Sequence, residues 1–80
     1  MDYEDTTIED IISECGEDKL QLLFNEKYSE LDGNWLLYED GNHEIIKFYE
    51  KSVMVKLYFY NTDKEHIVKD FILFIPYKWL

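Results

Sequence analysis

The sequence predicts an α+β domain: two N-terminal helices packed on one face of a four-stranded antiparallel sheet arranged as a meander. Three observations carry this. Apolar residues recur at helical spacing from Ile8 to Leu31, then at alternate positions from Val53 to Phe59. The connections between the predicted strands are short, which favours antiparallel neighbours. At 80 residues the chain makes one domain, residues 1–80, with a thin core. Seven Tyr, five Phe and two Trp enlarge that core, because aromatics bury large areas per residue.

Residues 1–5 are acidic and expected to fray. Thr6 and Thr7 offer N-caps, and Thr6 with Glu9 has capping-box spacing. Ile8, Ile11, Ile12 and Cys15 follow on one helix face, with Glu9 and Asp10 at the positive end of the helix dipole. Gly16 is placed to stop this helix. Glu17 and Asp18 open a second helix, with Leu20, Leu23, Phe24, Tyr28 and Leu31 along one side and Leu22 widening the stripe. Asp32, Gly33 and Asn34 end it.

Residues 35–39 form the first predicted strand, and Asp40-Gly41-Asn42 suits a tight hairpin in which Gly takes positive φ. Residues 43–50 are the second strand, and Lys51-Ser52 turns the chain. Residues 53–60 are the central strand. Val53, Val55, Leu57 and Phe59 make a fully apolar face, and Met54, Lys56, Tyr58 and Tyr60 a mixed one. After a polar turn at 61–64, residues 66–75 form the last strand, ended by Pro76. The aromatic tail, residues 77–80, is expected to fold back onto the body. The open sheet face would then carry Met54, Tyr58 and Tyr60, joined by Tyr49.

Catalytic signatures are absent from the pattern. His43 and His66 belong to no HxH or HxxxH pair, Cys15 sits on a predicted core face, and three glycines leave no phosphate loop. The acids lie on solvated helices, where nothing perturbs them for acid–base work. The expectation is a non-enzyme with no cofactor and no metal. One cysteine excludes an internal disulfide and fits a reducing, cytoplasmic setting. No apolar run is long enough to span a bilayer.

Charge is the distinctive feature. The chain carries −10, with no arginine. Residues 1–40 hold thirteen acids against two lysines, a net of −11; residues 41–80 hold five acids against six lysines, a net of +1. Such a field repels nucleic acid and anionic membranes and steers toward a basic protein partner. Carboxylates three and four apart on a helix lie about 5–6 Å from one another, close to the phosphate spacing of a nucleic-acid strand. Glu9, Asp10, Glu14, Glu17, Asp18, Glu26, Glu30 and Asp32 therefore form the candidate partner-binding row, with Tyr49, Tyr58 and Tyr60 as a second candidate surface.

In size, charge and lack of catalytic motif the chain is similar to the small acidic inhibitors that phages make against host nucleases, anti-CRISPR proteins among them. It is similar in the same respects to the immunity proteins that neutralise nuclease toxins. The resemblance implies a nucleic-acid mimic that blocks a nuclease or nucleic-acid-binding protein, and it assigns no residue roles. A third reading is a structural or assembly subunit using the tyrosine-rich sheet face. It would form a homodimer by pairing an edge strand, residues 35–39 or 66–75, across a two-fold.

Overall fold

The computed structural model describes residues 6–63 and 67–80. The fraying expected at residues 1–5, part of the turn at 61–64, and His66 lie outside the described residues. Helix α1 (Ile8–Cys15) is capped by Thr7 rather than Thr6. The Asp10 amide donates to Thr7 Oγ1 at 3.2 Å, and the Thr7 amide donates to the Asp10 carboxylate at 3.4 Å. Two free N–H groups of the first turn are thus satisfied reciprocally. Gly16, at φ 88°, ends α1 and begins α2 (Glu17–Lys27) in one step. Helix α2 stops at Tyr28, earlier than the apolar pattern predicts. Leu31 is left exposed beyond it, and Leu22 on the outward side of α2 is exposed as well.

Four strands follow: β1 (Trp35–Leu37), β2 (Glu44–Phe48), β3 (Ser52–Asn61) and β4 (Val68–Pro76). All pairings are antiparallel, and all are made to β3. Strand β4 pairs along the whole of β3 from Ser52 to Tyr60. Strands β1 and β2 share the opposite edge, β1 against residues 59–61 and β2 against residues 53–56. The expected hairpin between β1 and β2 is therefore not formed. The two are successive pieces of one edge row, interrupted at residues 38–43, so the meander holds only for β2–β3 and β3–β4. A ten-residue β3 has room for both pieces end to end, and pairing each to β3 keeps its apolar residues on the buried side.

A bulge at Ile46 performs the same task inside β2. Ile45 pairs with Val55 and Lys47 with Met54, so Ile46 is the extra residue. The shift puts Ile45 and Phe48 on the core face and leaves Lys47 outside, which strict alternation over EIIKF would not allow. Val53, Val55, Leu57 and Phe59 are all fully buried, as the alternation predicts. Ile11, Cys15, Leu20, Phe24, Trp35, Leu73 and Ile75 complete the core. Phe24 is its hub: stacked on Phe59 at 4.1 Å between ring centroids, and edge-on to Phe71 at 4.9 Å.

Helix α2 reaches both edge rows. Gln21 Nε2 donates to the Trp35 carbonyl at 2.6 Å on one side. Lys27 Nζ and Tyr28 OH donate to the Ile72 carbonyl at 2.9 and 3.0 Å on the other. These carbonyls point away from β3, so the helix occupies acceptors that another strand would use. With Pro76 in β4, this blunts the edge-to-edge pairing expected from the sequence. The tail does fold back. Tyr77–Trp79 forms a 3₁₀ turn on the helix side of the sheet, with Lys19 Nζ 5.7 Å from the Trp79 ring.

Candidate functional site

The break in the edge row creates the most unusual local chemistry. Where residue 38 would continue the ladder, its carbonyl turns away and accepts from the Gly41 amide at 3.1 Å. That leaves the Tyr58 amide without its ladder acceptor. His43 Nδ1 takes the place, accepting the Tyr58 N–H at 3.0 Å, while Nε2 lies 2.9 Å from the Tyr38 carbonyl. Only the neutral ring protonated on Nε2 satisfies both contacts. Burial lowers the His43 pKa and favours this form; the Tyr38 carbonyl and the Glu9 carboxylate pull the other way.

Gly41 is required here for room, not for the positive φ expected of a hairpin; of the glycines, only Gly16 and Gly33 take positive φ. A Cβ at position 41 would sit 2.6 Å from Tyr58 Cβ and 2.9 Å from His43 Cε1. Gly41→Ala is expected to push the loop outward and cost about 1–3 kcal/mol, with the Tyr58 amide resonance moving most in an NMR comparison. A variant with parental stability and an unmoved Tyr58 amide would show that the loop does not press on β3.

Beside this loop, α1 and the start of α2 form one wall of a cleft of about 300 Å³. Its floor is apolar (Ile8, Ile12, Leu37), and its rim is acidic (Glu9, Glu17, Glu39). The Glu17 and Glu39 carboxyls face one another across the rim, close enough to share a proton. Proton sharing with Glu39, then the Glu39 charge, with smaller contributions from desolvation and the Asp18 charge, raises the Glu17 pKa above its ordinary value of 4.5. Two carboxyls meet at the mouth of the cleft, and no cation stands between them among the described residues. The two lysines of the acidic half are engaged elsewhere, Lys19 on Trp79 and Lys27 on Ile72 and the Phe74 ring. The one ion pair among the described residues, Lys56–Glu44 at 3.5 Å, is on the sheet.

The acids predicted as one row divide into groups. Glu9 and Glu17 belong to the cleft, and Asp10 is committed to the Thr7 cap. Glu14, Asp18 and Glu26 are exposed on the outward helix surface, the last two flanking Leu22 at helical spacing. Glu30 and Asp32 lie past the far end of the eleven-residue α2, about 16 Å from Glu17. Glu39 and His43 are the site residues that local pattern did not reveal, because their partners Glu17 and Tyr58 are distant in sequence.

The three tyrosines do reach the outer sheet face, which among the described residues neither the helix backbones nor the tail cover. Tyr60 meets Tyr38 edge-on at 6.0 Å, Tyr58 lies against His43, and Tyr49 lies between Met54 and Phe74. Cys15 is buried, and burial raises its thiol pKa against the pull of Lys19, so it behaves as a core side chain. Among the described residues no group of three His, Cys, Asp or Glu is placed to hold a metal ion, and no helix is long and apolar enough to cross a membrane. No protein-family model, curated protein or solved structure matches the chain.

Proposed function

We propose that this is a small protein-binding inhibitor that occupies the basic, nucleic-acid-binding surface of a nuclease or other nucleic-acid-binding protein, in the manner of phage anti-defence inhibitors. The observation that carries the reading is the acidic cleft. Its Glu17–Glu39 pair has no cation beside it among the described residues, and its apolar floor matches the aliphatic stem of a partner's lysine or arginine. Such a side chain would lie along Ile8, Ile12 and Leu37 and place its charged head between the two carboxyls. Glu14, Asp18 and Glu26 would extend the contact along the helices and steer the approach. The proposed setting is the cytoplasm, where such a partner is met. An immunity protein would use the same surface, and the identity of the captured nuclease separates the two.

The test is capture of partners from a lysate at low salt, with elution on a salt ramp, followed by titration of the identified partner. A basic nucleic-acid-binding protein is expected, released as salt rises, because exposed charges are screened over about 10 Å at 0.1 M. The triple variant Glu14→Lys, Glu17→Lys, Glu39→Lys is expected to lose affinity on the order of 100-fold; Asp10 is left alone because it caps α1. A folded triple variant that binds as tightly as the parent would remove the cleft from the interface.

A further inference from the structure

We infer that the outer face of the sheet is a contact between two copies of this chain, packed face to face. The face is built from alternate residues of three rows: Leu36 from β1, Glu44 and Lys47 from β2, Met54 to Tyr60 from β3, and Val68 to Phe74 from β4. Leu36, Tyr49, Val68 and Phe74 are each between 37% and 43% exposed, and among the described residues no helix or strand lies over them, the Lys27 amine alone reaching across to the Phe74 ring. Apolar residues occupy the two ends, with a charged belt between.

Charge identifies the occupant. The face holds Glu44 and Asp70 against Lys47 and Lys56, and the Lys27 amine reaches its Phe74 end at 4.9 Å, so it carries about +1 on a molecule of −10. Two copies approaching through their helices repel one another. Through this face they meet as patches of little net charge, and each patch carries both signs, so it can be complementary to itself across a two-fold. Edge pairing is disfavoured by the Gln21, Lys27 and Tyr28 clamps, which leaves face-to-face packing. Three rows and nine residues of β4 make a patch on the order of 30 by 14 Å. Two copies then bury roughly 1,000 Å², the small end for specific interfaces. A contact of that size suits a weak dimer that forms as concentration rises.

Sedimentation velocity from about 5 to 500 µM tests this. A shift from monomer to dimer across that range is expected, and added salt should strengthen it by screening the net charge of the two copies. Phe74→Glu and Leu36→Glu, each placing like charges in the contact, should weaken association at least tenfold while leaving the circular dichroism spectrum unchanged. Phe74→Thr, a milder change that suits an exposed strand position, serves if either fails to fold, with at least threefold weakening expected. A parent that stays monomeric at 500 µM, a dimer that these variants leave intact, or one that salt dissolves would overturn the inference.

Discussion

Phe24→Ala is expected to cost about 3–5 kcal/mol, the loss typical of a large buried aromatic. An 80-residue domain has roughly 4–12 kcal/mol of stability in total, so this one change brings the protein close to unfolding. The side chain is 2% exposed and touches every layer. It stacks on Phe59 of the central strand, meets Phe71 edge-on, and lies 5.2 Å from Tyr28 of its own helix and 6.5 Å from Trp35. Alanine would remove the contacts that hold α2 to the sheet, and a core this small has few side chains able to collapse into the space. Urea unfolding at neutral pH measures the effect. Leu22→Ala, on the outward side of the same helix, is the control and should change stability by no more than about 0.5 kcal/mol. Equal effects of the two variants would place Phe24 outside the core.

His43→Ala is expected to cost about 1–3 kcal/mol, the penalty for leaving the Tyr58 amide without an acceptor in a partly buried site. The parent should also lose stability on mild acidification. The unfolded chain takes up a proton at His43 near the ordinary value of 6.5, whereas burial lowers that pKa in the fold. Between the two values the unfolded state binds more protons, so stability falls as pH falls. The His43 contribution is complete above about pH 6.5 and disappears as pH drops through the folded value. Protonation places an N–H on Nδ1 directly against the Tyr58 N–H, so the loss includes the plug in the edge row.

Glu17 acts in the opposite direction. Its raised pKa means that the folded state takes up its proton more readily, so this group adds stability as pH falls toward 4.5. The difference between parent and His43→Ala, measured as urea midpoints from pH 7.5 to 5.5, isolates the histidine. A pH slope unchanged by the substitution would show that the imidazole does not bridge Tyr38 and Tyr58.

Much of this architecture is legible residue by residue. The alternation in β3 names its buried face without error, because period-2 patterning reports sidedness directly. Gly16 marks the helix corner because only glycine takes that backbone conformation freely. Errors arise where local signals compete. Thr6 and Thr7 both suit a cap, and the choice of Thr7 rests on Asp10 supplying the return hydrogen bond. Asp40-Gly41-Asn42 has hairpin composition, yet Gly41 is there to pass Tyr58 at close range. Leu22 and Leu31 satisfy an apolar stripe but stay exposed, outside the core.

The sequence by itself determined the α+β class, the order of elements, the buried face of the central strand and the confinement of the negative charge to the first forty residues. Each of these depends on composition or on neighbours within a few positions, and short-range sterics and solvation settle them. Tertiary structure alone decided that β1 and β2 share one edge, that His43 completes the ladder between them, that Glu17 meets Glu39 over an apolar floor, and that α2 clamps both sheet edges. Those outcomes join residues far apart in the chain. They are selected by which long-range pairing buries Ile45, Phe48 and Leu37 while giving the Tyr58 amide an acceptor where the ladder breaks.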